Sequence, residues 1–230
     1  MQRDIILTKD GSHSITVPGM NVTYHSVHGA IQESLHVFIE AGLKNTPWPG
    51  SGQPVRILEM GLGTGLNVLL TLIEAEKREQ PIHYTALELF PLTPDHLSAL
   101  NYCEQLRRED LQPLFNQLHH APWEQETVIS AYFTLLKTYS DLVAFAPVLT
   151  ADTLYQLVYF DAFAPGAQPE LWTTAIFSTL FALIAPGGLL VTYCSKGDVR
   201  RAMLSAGFAV EKIPGPPGKR EMLRARKPVH

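Results

Sequence analysis

The chain has 230 residues, 46% of them hydrophobic and 17% charged, with a formal net charge of -4. That is the size of one substantial α/β domain with a small appendage, and too short for two comfortable domains. Asp4, Lys9 and Asp10 interrupt the only leader-like run, no stretch of about 18 unbroken apolar residues exists to cross a membrane, and Cys103 and Cys194 form no Cys-x-x-Cys, so a cytoplasmic protein with reduced thiols is expected.

In chain order, Ile5 to Val17 holds two β-prone runs around Asp10-Gly11, a dipeptide suited to a tight hairpin. Ile31, Leu35, Phe38, Ile39 and Leu43 then recur at helical spacing, and a Pro/Gly-rich linker covers Asn45 to Pro54. These features make residues 1–50 a hairpin-and-helix extension and residues 51–230 the main domain. Val55 to Asn67 reads as buried strand, tight glycine turn and helix start, with the helix running from Leu66 to Glu79. Ile82 to Leu89 is a second strand. Thr93-Pro94 starts a helix reaching about Arg108, and Leu111 to Leu118 continues helically. Phe133 to Thr138, Leu154 to Phe160 and Leu189 to Cys194 are further strands, the last preceded by a helix from Trp172 to Ile184 and a turn at Pro186-Gly187-Gly188. After a helix from Val199 to Ala206, Phe208 to Ile213 and Glu221 to Ala225 are strands joined by too short a loop for a crossover, so they pair antiparallel at the sheet edge. The sum is an α/β fold with a mostly parallel seven-stranded sheet, antiparallel at its last strand.

Ligands of such sheets bind beyond the carboxyl ends of the strands. Those ends carry Glu59, Glu88, Asp141 and Asp161, four acids converging on one crevice. Gly61, Gly63 and Gly65 let a flat ligand lie against the backbone. A dinucleotide fingerprint needs its third glycine at position 66, which is Leu66, whereas G-x-G-x-G behind an acid suits the cationic, pyrophosphate-free S-adenosylmethionine. Glu88 then accepts from the ribose hydroxyls and Asp141 from the adenine amine. Asp161 opens D-A-F-A-P, where the methyl group is delivered; it can orient an amine and receive its proton, while Phe163 stacks on a base or covers the amine. Three functions stay open on this reading: amine methylation, aminopropyl transfer to a small amine, and a non-catalytic nucleotide-binding module. His119-His120 lacks partner ligands at zinc-like spacing, so no metal is expected. From Lys196 onward nine basic side chains stand against three acidic ones, a net of +6, which leaves -10 for the preceding part and offers a polyanion a C-terminal landing place.

The segments E-M-G-L-G-T-G-L-N (Glu59 to Asn67), E-L-F-P-L-T (Glu88 to Thr93), D-A-F-A-P-G-A-Q-P-E-L-W (Asp161 to Trp172), G-G-L-L-V-T-Y (Gly187 to Tyr193) and G-K-R-E-M (Gly218 to Met222), with Tyr24 to Phe38, resemble the methyltransferase domain of the MnmC family. The resemblance covers nearly the whole chain. It implies a Rossmann-like class I methyltransferase that converts 5-aminomethyl-uridine to 5-methylaminomethyl-uridine at the tRNA wobble position. It also implies cofactor contacts at Glu59, Gly61, Gly63, Thr64, Asn67, Glu88 and Asp141, with Gly65 in the same turn and Asp161 beside the amine. Lys219 and Arg220, on the loop between the last two strands, are expected to meet RNA together with Arg200. Because the sequence stops at His230, a stand-alone enzyme without the family's FAD-dependent oxidase domain is expected.

Overall fold

The computed structural model describes residues 2–50, 52–145, 150 and 153–229. Three short strands, β1 (Asp4–Leu7), β2 (His13–Val17) and β3 (Val22–Thr23), form an antiparallel sheet of their own, one strand more than a hairpin. Gly11, at φ +82°, makes the turn between the first two. The helix that follows, α1 (Ala30–Ser34), passes into a π-helical turn over Leu35–Glu40. Its buried face, Ala30, Ile31, Val37, Phe38 and Ile39, joins the main core, and the Phe38 ring centroid lies 5.0 Å from that of Tyr159.

The main sheet is built from β4 (Val55–Met60), β5 (Ile82–Leu87), β6 (Thr127–Ser130), β7 (Phe133–Thr138), β8 (Tyr155–Phe160), β9 (Ile184–Thr192), β10 (Ala209–Pro214) and β11 (Glu221–Arg226). Their order is β10-β11-β9-β8-β4-β5-β7-β6. The central five are parallel, whereas β11 runs antiparallel to β9 and to β10, as the short connection requires. The sheet has eight strands rather than seven: β6 pairs antiparallel with β7 at the far edge. Strand β6 is only four residues long, with Ile129 buried and Val128 70% exposed, too short for an apolar alternation to announce it.

Alternate residues of the central strands divide the core between two faces. Ile57, Leu157 and Tyr159 point toward α2 (Leu66–Arg78) and α5 (Gln112–His120). Leu58, Val158 and Phe160 point toward α6 (Thr174–Leu183) and α7 (Gly197–Ser205). The helix expected from Pro94 to Arg108 is broken into α3 (Pro94–Ser98) and α4 (Tyr102–Gln105). Asn101 interrupts it, donating to Gly11 O and accepting from His13 N, and so ties this segment to the N-terminal hairpin. The Pro186-Gly187-Gly188 turn lies inside β9 as a bulge, where pairing jumps from Tyr155↔Ile184 to Leu157↔Leu189. Sequence order reverses on either side of β4, with β5 on one flank and β8 on the other, which opens the crevice at the ends of β4 and β8.

Candidate functional site

A cavity of about 220 Å³ occupies that crevice. Its wall includes Gly61, Gly63, Thr64 and Asn67 from the turn and first turn of α2, Glu88 after β5, Asp141 after β7, and Asp161 and Phe163 after β8. Eight of the residues singled out in the sequence are thus brought together on one wall. The N-terminal extension adds Arg3, Met20, Tyr24 and His25 to the lining.

Four backbone donors of the turn are engaged within the protein. Gly61 N and Leu62 N both donate to Leu87 O, at 3.0 and 3.2 Å, Gly63 N donates to Glu88 Oε2 at 3.0 Å, and Gly65 N donates to Leu62 O at 2.9 Å. These four N–H groups are already taken up and are not offered to a pyrophosphate. The wall is instead rich in acceptors. Glu88 is pinned by Gly63 N and by Phe90 N (2.7 Å to Oε1), yet each of its oxygens keeps a lone pair for a hydroxyl. Asp141 accepts from Ala144 N through Oδ1 (2.8 Å). Asn67 donates one amide nitrogen to both Glu59 Oε1 and Asp161 Oδ2, at 2.9 Å each, and its buried Oδ1 has no partner among the described residues. A ligand carrying an ammonium, ribose hydroxyls and an exocyclic amine supplies the donors that this wall lacks, so S-adenosylmethionine fits it.

Several expected residues stand behind or away from the wall. Glu59 lies under Asn67, only 1% exposed, and burial pushes its carboxyl well above the usual range. Gly65, at φ +73°, packs against His119: a Cβ there would come 2.8 Å from the His119 ring, so this glycine brings α5 close to the turn. Arg200 on α7 is half-buried and Arg220 is exposed, and neither reaches the cavity. Lys219, expected at the surface, turns inward: its Nζ donates to Glu33 Oε1 at 2.8 Å and sits 3.9 Å from the Tyr193 ring centroid.

Four contributors were not singled out from sequence. Tyr24 meets Phe163 edge to face, with centroids 5.3 Å apart, and touches Gly63, where a Cβ would lie 3.0 Å from Tyr24 Cδ1. His25 Nε2 is 2.7 Å from Thr64 Oγ1, and burial lowers its pKa to about 4, so the ring is neutral. Glu33 is buried and accepts from Ser26 N at 2.7 Å as well as from Lys219. Tyr193 donates its hydroxyl to Ala162 O at 2.9 Å, which fixes the strand end that carries Asp161. Glu33 had a sequence signal: it is three residues after Ala30 and four before Val37, a carboxylate on the apolar face of its helix.

Asp161 is half-buried, and burial together with the nearby Glu33 carboxylate pushes its pKa well above the usual range, against the Asn67 hydrogen bond and the Lys219 ammonium. Among the described residues no group of three or more His, Cys, Asp or Glu side chains is arranged to hold a metal, and no helix is long and apolar enough to cross a membrane.

Fold, acceptor-rich wall and occupied turn together define a methyltransferase of the S-adenosylmethionine-binding α/β class. The family model described as S-adenosyl-L-methionine-dependent methyltransferase matches residues 112–228, more than half of the chain, and the chain belongs to that family. It is 33% identical over 237 aligned residues to the tRNA 5-methylaminomethyl-2-thiouridine biosynthesis bifunctional protein MnmC of Cupriavidus metallidurans, covering 96% of this chain and 33% of that protein. The protein of the same name from Ectopseudomonas mendocina is 34% identical over 210 residues, covering 87% and 31%. The chain therefore spans about a third of the length of these curated relatives. Among solved structures it is similar to MnmC2 from Aquifex aeolicus, with a TM-score of 0.74 and 25% identity over 99% of this chain and 72% of that one.

Proposed function

We propose that this methyltransferase converts the primary amine of 5-aminomethyl-uridine, at the wobble position of tRNA, to 5-methylaminomethyl-uridine in the cytoplasm, with residues 1–50 as an extension on the cofactor-binding domain 51–230. The observation that carries the reading is Asp161: one carboxylate oxygen is held by Asn67, and the residue lines the cavity beside the Tyr24–Phe163 aromatic pair. Similarity over nearly the whole chain to proteins named for 5-methylaminomethyl-2-thiouridine biosynthesis supports the substrate.

S-adenosylmethionine, when bound, would supply a methyl group on a positively charged sulfur, leaving as the neutral thioether. Its methionine ammonium fits the unpartnered Asn67 Oδ1, its ribose fits Glu88, and its adenine amine fits Asp141. The Tyr24 and Phe163 rings exclude water and give a planar base an apolar surface. With that methyl group supplied, Asp161 would orient the neutral amine and take up, directly or through water, the proton that nitrogen loses on methylation. Lys196, Arg200 and Arg220 form no ion pair among the described residues, unlike Arg201, Lys212 and Arg224, and so are free to meet RNA phosphate.

Mass spectrometry of wobble uridines in tRNA from a deletion strain tests the reading. Loss of 5-methylaminomethyl-uridine with accumulation of its aminomethyl precursor is expected. Unchanged content, or methyl transfer by purified protein to a polyamine but not to that tRNA, would reject the tRNA substrate.

A further inference from the structure

The D-A-F-A-P-G-A-Q segment folds back on itself after Phe163. Ala167 N and Gln168 N both donate to Ala164 O, at 2.7 and 3.1 Å, and this turn returns Gln168 to the side of Phe163. Three side chains then take up the backbone of the segment: the Tyr193 hydroxyl donates to Ala162 O at 2.9 Å, Trp172 Nε1 donates to Phe163 O at 2.9 Å, and Gln168 Oε1 accepts from Phe163 N at 3.0 Å. Trp172 is itself buried and packs on Phe160, with ring centroids 4.9 Å apart. Asp161, Phe163 and Gln168 are thereby held on the lining of one cavity. The Gln168 amide can sit only one way round. Phe163 N–H donates and cannot accept, so the amide turns its oxygen to it and leaves its NH2 group over. That nitrogen has no partner among the described residues, and it is a donor on a wall otherwise rich in acceptors.

We infer that Gln168 is a specificity-determining residue that reads the pyrimidine carrying the reactive amine: its NH2 group donates to the C4 carbonyl oxygen of uracil, while Asp161 meets the aminomethyl group on C5 and the Phe163 ring lies against the base. The assignment deepens the proposed methylation of 5-aminomethyl-uridine and rests on it for the substrate. C4 and C5 are adjacent ring atoms, so an acceptor oxygen and a donor amine leave this base side by side. The loop offers the complementary pair, a donor from Gln168 and an acceptor from Asp161, on a single cavity. Cytosine carries an amino group at C4 in place of the oxygen. Two donors would then face each other, and the amide N–H groups would be left unpaired in the closed site, so a 5-aminomethyl-cytidine is rejected.

The test is steady-state methyl transfer to anticodon stem-loops carrying 5-aminomethyl-uridine or 5-aminomethyl-cytidine at the wobble position, with S-adenosylhomocysteine affinity measured alongside by calorimetry. Wild-type kcat/KM should favour the uridine loop by about tenfold to a hundredfold, the usual scale for leaving a buried donor unmet. Gln168→Glu keeps an oxygen for Phe163 N but puts a second acceptor where the NH2 group stood. Its preference for uridine should fall by about tenfold or more, or invert toward cytidine, while S-adenosylhomocysteine affinity stays within a few fold of wild type. Wild-type protein that methylates the two loops equally well overturns the assignment, and this arm needs no variant to fold. An unchanged uridine-to-cytidine ratio in Gln168→Glu also overturns it, because Gln168 then only holds Phe163. So does a large loss of S-adenosylhomocysteine affinity with the ratio unmoved, since the NH2 group then meets the cofactor carboxylate. Wild-type protein that methylates neither loop removes the substrate reading and this assignment with it, whereas transfer to the uridine loop with an unmoved ratio removes the assignment alone.

Discussion

Replacing Gly63 and Gly61 one at a time by alanine separates two demands on the turn. Both residues have positive φ, +52° at Gly63 and +89° at Gly61, so each alanine carries a left-handed backbone cost of roughly 1–2 kcal/mol. At Gly61, among the described residues beyond its chain neighbours, Asp161 O at 3.7 Å is the atom within 4 Å of the new methyl, and the residue lines the cavity, so the methyl enters ligand space without a protein clash. At Gly63 the methyl meets Tyr24 Cδ1 at 3.0 Å and Cε1 at 3.3 Å, and that ring is backed by Phe163. About 1 kcal/mol more is expected there for displacing it. With about 2–4 °C of melting temperature per kcal/mol in a chain of this size, Gly61→Ala should melt a few degrees lower and Gly63→Ala clearly lower still. Calorimetry with S-adenosylhomocysteine should invert the emphasis, with Gly61→Ala weakening binding on the order of tenfold, or about 1.4 kcal/mol. Differential scanning calorimetry of both variants decides the matter. A Gly63→Ala protein that melts no lower than Gly61→Ala would refute the assigned packing of the turn on Tyr24.

Asp161→Asn should leave S-adenosylhomocysteine affinity within a few fold while slowing transfer at least a hundredfold, roughly the usual scale for a proton acceptor; abolished binding would instead make Asp161 a cofactor residue. His25 has a folded pKa of about 4 against an ordinary 6.5. Below pH 6.5 the unfolded chain gains a proton that the folded ring refuses, so this contribution to stability is present above 6.5 and disappears as pH falls toward 4, up to roughly 3 kcal/mol. Urea midpoints at about pH 7 and about pH 4.5 should therefore differ less in His25→Gln than in wild type, and an equal difference would show that the buried ring is not the responsive group. Arg200→Ala with Arg220→Ala should weaken tRNA binding and lower the slope of log affinity against log salt by about 0.7–0.9 for each phosphate no longer neutralised, leaving S-adenosylhomocysteine binding unchanged. An unaltered slope returns both arginines to plain solvated surface.

The local grammar of the chain decided more than its fold class. Val55 to Asn67 is strand, turn and helix in one continuous stretch, and the acids at 59, 88, 141 and 161 fall at or just after strand ends, so a parallel sheet alone brings 88, 141 and 161 to one cavity, with Glu59 buried behind Asn67. Leu66 in place of a third glycine already set aside a dinucleotide. The structure adds that the N–H groups of Gly61, Leu62 and Gly63 are taken up by Leu87 O and Glu88. What sequence could not reach were relations between distant segments. Strand β6 is legible only as the partner of β7, because its four residues bury Ile129 alone and are too few to show periodicity. Lys219 and Glu33 stand 186 residues apart, and only the docking of the hairpin tip on the N-terminal extension turns a basic loop residue inward. Gly65 looked like part of the ligand cradle, yet it is His119 from α5 that needs the missing Cβ. Periodicity and turn chemistry act over a few residues and are written in the chain. Which charge faces which is settled when helices and hairpins pack, and that is where the environment of Asp161 was decided.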